Sequence, residues 1–288
     1  MGQRQLSSAP LPCNNLHLRL IGGAFQSECP LPMIPRLLSQ TWKSAELPAP
    51  AQVFQRRWTA QNPDLDYRFY DDAACRLVMA EVFPDLLAAY DALPAPVMRA
   101  DVFRYAVVYR DGGIYADIDM ECLRPIGPLL SLGECLVSAE ARLGRTRQLE
   151  LGYAGDTQIA NCIFAARPRH PLFRRAVERA FALFASAGSK ANLSVEDISG
   201  PRMLTRLLSE ERFEDVAILP QIVLMAPLDY PNVWPLNRFM YARHRTFGTW
   251  KGANGPASLQ RRLIERNRLP NPFPAGLGRR LAAGSALQ

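Results

Sequence analysis

The sequence predicts a layered α/β fold, on three observations. Strand-like and helix-like periods alternate through the first half of the chain. The clearest helix opens at Pro96 and stops at Gly112 and Gly113. The strand that follows carries acidic residues at its far end, which is where an α/β fold places its ligand sites.

In order, residues 1–32 are rich in Pro, Ser and Gly without a sustained period and read as a poorly ordered lead-in. "MIPRLLSQTW" reads as a buried strand through Ile34, Leu37 and Leu38, closing at Gln40 and Thr41. "APAQVFQRRWTAQNP" reads as a helix stopped by Pro63, and "DLDYRFYDD" as a second strand ending on Asp71 and Asp72. That acidic pair suits the cap of the next helix, "AACRLVMAEVFPDLLAAYDAL", which Pro84 interrupts; a nucleotide contact is the other reading of the pair. In "PVMRADVFRYAVVYRDGG" Val102, Ala106 and Tyr109 form one helical stripe, and the glycines let the backbone turn sharply into "IYADIDME". Further on, "ECLVSAE", "QIANCIFAARP" and "VAILP" read as strands, and "HPLFRRAVERAFALFAS" and "GPRMLTRLLSE" as helices. The expected division is a lead-in over 1–32, a catalytic domain over 33–255 and a basic helical tail over 256–288.

With 288 residues, 48% hydrophobic and 21% charged, the chain has enough apolar material for one large core. No run approaches the roughly 18 consecutive apolar residues of a membrane span, and the first residues lack a signal-peptide pattern. A cytoplasmic protein is expected. The six cysteines (Cys13, Cys29, Cys75, Cys122, Cys135, Cys162) contain no CxxC pair and read as buried thiols. A formal charge of +7 favours an anionic partner. Part of the excess lies in the tail, where six arginines face only Glu265. There "SLQRRLIERNRL" is either a solvated helix or a basic amphipathic one associating peripherally with the anionic inner face of a membrane.

The acids of "IYADIDME" are the strongest chemical signal. Side chains alternate along a strand, so Asp117, Asp119 and Glu121 are expected on one side and Ile118 and Met120 in the core. Clustered carboxylates repel unless a cation compensates, and hard divalent ions take oxygen ligands, so a metal site is the economical reading. An EF-hand loop fits poorly because its sixth position needs Gly, where Cys122 stands. A haloacid-dehalogenase-type phosphatase fits poorly because Glu121 occupies its usual Thr position.

The segment "VMRADVFRYAVVYRDGGIYADIDMECLRP", with "IPRLLSQTW" and "YRFYDD" before it, resembles the DxD glycosyltransferases of family 32 and the related clostridial glucosylating toxins, over roughly Ile34 to Trp250. The resemblance implies a GT-A-like nucleotide-diphospho-sugar transferase fold with a mixed central sheet flanked by helices. It implies a hexosyltransferase that moves sugar from a UDP- or GDP-sugar to a glycan, lipid-linked or protein acceptor, retains anomeric configuration and uses Mn²⁺ or Mg²⁺. Gln40, Thr41 and Trp42 would line the donor, with Trp42 at the base; Asp101 and Arg104 would contact sugar and pyrophosphate, and Tyr115 would line the pocket. Asp117 would hold ribose and sugar, Asp119 the metal, and Asn161 would face the donor sugar. The closing segment "HRTFGTW" resembles the family's His-x(4)-Ser-Trp, so His244 or Thr249 would complete the metal shell and Trp250 would cap the donor; Thr249 departs from the usual Ser.

Each assignment has a plain structural alternative. Asp101 and Arg104, three apart on a helix, either share a ligand edge or form an ordinary ion pair. Trp42 and Trp250 suit a core as well as a ligand cap. With His17, His170 and His244 as the only histidines, a His-rich zinc site is not expected, and His244 is the candidate for metal or phosphate. A metal-dependent phosphohydrolase would share the carboxylates. A nucleic-acid binder would need a basic stripe interleaved with aromatics, so no nucleic-acid partner is expected.

Overall fold

The computed structural model describes strands 19–21 and 24–26 and residues 34–187, 194–228 and 236–245. Strands β1 (Arg19–Ile21) and β2 (Ala24–Gln26) pair antiparallel in a small unit of their own.

In the main unit, β3 (Leu37–Thr41) leads to α1 (Ala49–Gln61), then β4 (Asp66–Tyr70) and α2 (Asp72–Val82). Asp71 caps α2, its carboxylate accepting from the Ala74 N–H at 2.8 Å, as the cap reading expects. Pro84 breaks the helical run into a 3₁₀ turn before α3 (Leu87–Asp91), and α4 (Pro96–Asp111) follows. Next come β5 (Gly113–Ala116), β6 (Met120–Cys122), β7 (Cys135–Arg142), α5 (Arg145–Leu151) and β8 (Thr157–Ala166). The remainder is α6 (Pro171–Ala187), α7 (Val195–Ile198), α8 (Pro201–Glu210), β9 (Val216–Leu219), α9 (Gln221–Leu224) and β10 (Ala242–His244).

The central sheet has six strands in the order β4-β3-β5-β8-β7-β9, and only β8 runs against the rest. It is a mixed α/β sheet with packed layers on both faces. On one face α2, α4, α6 and α8 meet Tyr115, Val137 and Phe164, and the rings of Tyr105 and Tyr115 both stack with Phe164, their centroids 5.8 and 5.6 Å away. On the other, α1 and β6 cover Leu38, Ile114 and Leu136 through the fully buried Trp58, whose indole N–H donates to the Met120 carbonyl at 2.8 Å. The described thiols, Cys75, Cys122, Cys135 and Cys162, are all buried and free, while Cys13 and Cys29 lie outside the described residues. No described helix is long and apolar enough to cross a membrane.

The α4–β5 junction needs its glycines. Gly112 and Gly113 have φ of +68° and +79°, and a Cβ on Gly113 would lie 2.6 Å from the Leu37 carbonyl oxygen. The chain can therefore reverse from α4 and enter the sheet beside β3, which puts the end of β5 at the sheet's carboxyl edge.

One expectation is corrected here. "IYADIDME" is not one strand: β5 ends at Ala116, and a turn closed by the Met120 N–H on the Asp117 carbonyl (2.9 Å) separates it from β6, which pairs with β10 and not with the central sheet. Strand alternation is lost across that turn. Asp117 and Asp119 still meet, but Glu121 leaves their side and pairs with Arg57 and Arg245. Aspartates tolerate turn conformations, and two of them around one apolar residue are as good a turn signal as a strand signal.

Candidate active site

The site is built where β5 and β3 end and α4 and β8 pass beside them. Arg104, on the buried face of α4, is its centre: Nη2 lies 3.1 Å from Asp101 Oδ1 and 3.1 Å from Asp117 Oδ1, and Nη1 donates to the Asn161 carbonyl at 2.7 Å. The guanidinium also lies 5.1 Å from the centroid of the Tyr115 ring. Asp117 receives the Tyr115 hydroxyl at 2.7 Å, and the Asp117 N–H closes onto the Cys162 carbonyl at 2.8 Å. Asp101 is saturated, accepting from Asn161 Nδ2 at 3.0 Å and from the Ser199 hydroxyl at 2.8 Å in addition to Arg104.

Asp119 stands on the turn, with Oδ1 3.1 Å from His244 Nε2. Asp117, Asp119 and His244 each offer a donor atom, all within 4.8 Å of one another. The structure thus brings Asp117, Asp119, Arg104, Asp101, Asn161, Tyr115 and His244 into one cluster. Gln40 joins from the end of β3: its amide nitrogen donates to the carbonyls of Ala116 and Asp117 at 3.3 and 3.2 Å, leaving its buried Oε1 without a partner among the described residues. Thr41 is turned elsewhere, its hydroxyl donating to the Tyr70 carbonyl at 2.8 Å and touching Cys75 Sγ at 3.2 Å. Trp42 is half-exposed with the Lys43 ammonium 5.9 Å from its ring. Thr249 and Trp250 lie outside the described residues, as does the basic tail.

Electrostatics follow from the burial. Desolvation pushes the Asp101 carboxyl up to about 6 and outweighs the pull of Arg104. Desolvation likewise raises Asp117, against Arg104, with the neighbouring Asp119 adding to the rise. Burial works against a charge on His244, yet the sulfur of Cys162 and the carboxylate of Asp119 hold its pKa well above the ordinary imidazole value. The Arg104 guanidinium answers Asp101 and Asp117, and the His244 imidazole lies against Asp119. Carboxylate oxygens and an imidazole nitrogen as donors, all within 4.8 Å of one another, fit a divalent cation such as Mn²⁺ or Mg²⁺.

Several residues of the site were not singled out from the sequence. Ser199 fixes Asp101 from the segment between α7 and α8, and its carbonyl accepts from the Tyr105 hydroxyl at 2.9 Å. The signal was "SGP": Gly200 has no room for a Cβ, which would fall 2.8 Å from Glu196 Cα, and Pro201 opens α8. Arg57 and Arg245 carried no local signal, because each is one arginine among many.

Residues 48–136 match the family described as the glycosyltransferase sugar-binding region containing the DXD motif. Among curated proteins, the chain is 39% identical over 97 residues to inositol phosphoceramide mannosyltransferase 3 of Schizosaccharomyces pombe, covering 34% of this chain and 27% of that protein. It is 29% identical over 257 residues to the initiation-specific alpha-1,6-mannosyltransferase of the same yeast, covering 76% and 64%. For the corresponding enzyme of Candida albicans the match is 27% over 161 residues, covering 50% and 42%. The chain thus spans between about a quarter and two thirds of the length of these relatives. Among solved structures, mouse xyloside xylosyltransferase 1 superposes with a TM-score of 0.46 at 11% identity, over 74% of this chain and 98% of that one. The PaToxG glycosyltransferase superposes with a TM-score of 0.45 at 17% identity, over 63% and 71%. The acidic turn and the arginine behind it lie inside the matched region, so residues 48–136 of the chain match the sugar-binding region of DXD-containing glycosyltransferases.

Proposed function

We propose that the protein is a metal-dependent, retaining glycosyltransferase that moves a hexose from a UDP- or GDP-sugar to a glycan, lipid-linked or protein acceptor. The observation that carries this reading is the convergence of Asp117, Asp119 and His244 at the carboxyl edge of the sheet, with the buried Arg104 fork directly behind them. Asp119 and His244 would hold the cation, with Asp117 beside them. The cation, when bound, neutralises charge on a departing nucleoside diphosphate.

The chain's own groups supply the rest. Arg104 is fixed by two carboxylates and a carbonyl before any ligand arrives, so its positive charge is preorganised and needs no reorientation during bond breaking. Gln40 Oε1 is an acceptor suited to a hydroxyl of the donor. No carboxylate of the cluster stands apart as a nucleophile, which favours attack by the acceptor on the face from which the nucleotide leaves. The mannosyltransferase relatives favour a mannose donor among the hexoses. We propose a cytoplasmic location, with the basic tail from 256 onward as a peripheral contact to an anionic membrane; its six arginines against one glutamate support that contact.

The test is a panel of nucleotide sugars with Mn²⁺ or Mg²⁺, followed first by thermal shift and then by the appearance of a new glycoside with acceptors supplied. Ligand stabilisation that needs metal, followed by product, supports the reading. Phosphate release without any glycoside in the presence of acceptors counts for a phosphohydrolase instead.

A further inference from the structure

Glu121 is the acid that the turn removed from the cluster, and its surroundings give it a different role. Its side chain is only 5% exposed, on β6, two residues after Asp119. One carboxylate oxygen accepts from Arg57 of α1 and the other from Arg245 Nε at 2.6 Å. Arg245 follows His244 directly, and its backbone N–H donates to the Asp119 carbonyl at 3.0 Å. In the β6–β10 pair, His244 lies opposite Met120 and Arg243 opposite Glu121, so the ladder spans three pairs and ends at the histidine.

A strand of three residues is weakly held by its ladder alone. The amino-terminal side of β10 has further backbone bonds, Tyr241 N–H to the Val223 carbonyl at 2.8 Å and Ala226 N–H to the Ala242 carbonyl at 3.3 Å. At the carboxyl-terminal side, where His244 must meet Asp119, the ties include the Arg245 N–H, the Arg245–Glu121 ion pair and the contact of the imidazole with the Cys162 sulfur. A charge-assisted bond to a nearly buried carboxylate fixes direction as well as distance.

We propose that Glu121 is a positioning residue: by gripping Arg245, with Arg57 holding its other oxygen, it sets the His244 imidazole against Asp119 in the geometry that a divalent cation requires. This rests on the metal-dependent reading of the site. Groups that orient a metal ligand typically change metal affinity by about 10- to 100-fold when removed.

The experiment titrates Mn²⁺ alone into the full-length protein and follows the free-ion electron paramagnetic resonance signal. Wild type is compared with Asp119→Asn, Glu121→Gln, Arg245→Gln and His244→Asn, and with each anchor variant combined with His244→Asn. The expected result is loss of binding in Asp119→Asn, an affinity about 10- to 100-fold weaker in Glu121→Gln and Arg245→Gln, and no further weakening when either is added to His244→Asn. Should Glu121→Gln fold poorly because it leaves two arginines short of a partner, Arg245→Gln carries the test, since Glu121 then keeps Arg57. Wild-type affinity in both anchor variants, with binding lost in Asp119→Asn, overturns the positioning role and leaves the metal reading intact. Equal loss from the anchor variants with and without His244 also overturns it, because the effect then does not pass through the imidazole. Wild-type binding in Asp119→Asn overturns the metal reading and the anchor with it.

Discussion

Arg104 and Asp117 meet fork to fork: Nη2 is 3.1 Å from Oδ1 and Nη1 is 3.3 Å from Oδ2. Lysine keeps the charge at position 104 but not the fork, so it cannot serve Asp101, Asp117 and the Asn161 carbonyl together. Arg104→Lys is expected to lower kcat by about 10²-fold or more, measured at saturating nucleotide sugar. Arg104→Met leaves the buried Asp101 and the partly buried Asp117 without their counter-charge and is expected to cost about 3–5 kcal/mol in chemical denaturation.

Asp119 contributes its carboxylate to the cluster, while its backbone carbonyl, which an Asn keeps, receives the Arg245 N–H. Asp119→Asn should therefore melt within a few degrees of wild type. Its nucleoside-diphosphate binding, followed by calorimetry, should become indifferent to Mn²⁺ and to chelator, and turnover should fall to background.

Asp101 gives the fold a pH dependence of known sign. Its carboxyl moves from an ordinary 3.8 up to about 6 because burial disfavours the charge. The folded protein therefore holds that proton more tightly than the unfolded chain does, so the stabilisation is complete below about pH 4 and is lost as pH rises through 6. At roughly 1.4 kcal/mol per pKa unit this is on the order of 3 kcal/mol. Urea midpoints between pH 4 and 7 should fall in wild type by more than in Asp101→Asn, which has no such proton to lose.

Gly113→Ala tests the route by which α4 hands the chain to β5. The φ of +79° and a Cβ only 2.6 Å from the Leu37 oxygen predict a loss of about 2 kcal/mol or more in stability. Because β5 carries Asp117 at its end, the same change should weaken nucleotide binding in whatever fraction remains folded, read by calorimetry. An equal melting point would show that β3 yields at Leu37.

The sheet was legible because Leu37–Thr41, Cys135–Arg142, Thr157–Ala166 and Val216–Leu219 contain apolar runs between turn residues and Asp66–Tyr70 alternates, and all five were anticipated near their places. The helix from Pro96 was read to its stop, yet its burial on nearly all sides from Asp101 to Val108 was hidden, since a stripe of Val102, Ala106 and Tyr109 predicts one covered face. β10 was invisible, for "ARH" has no strand propensity and exists only because β6 offers it an edge. The cluster of Asp117, Asp119, Arg104 and His244 was reached through a resemblance, and the local spacing alone gave a wrong partner, Glu121. Ser199 escaped because "SGP" marks a helix start, and nothing in it names Asp101 as the partner before the fold supplies it.

The pairing of β7 with β8 slips: Val137 faces Phe164, but Ala139 faces Ile159, so residues 160–163 of β8 have no counterparts across that ladder. Asn161 sits in this slack, and for that reason its peptide oxygen is at liberty to receive Arg104. One of the ties that hold the guanidinium in place is thus written in strand lengths and in no side chain. Removing one residue from the slack would keep every named acid and base and still unseat the arginine, whereas many exchanges of side chain there would leave that oxygen where it is.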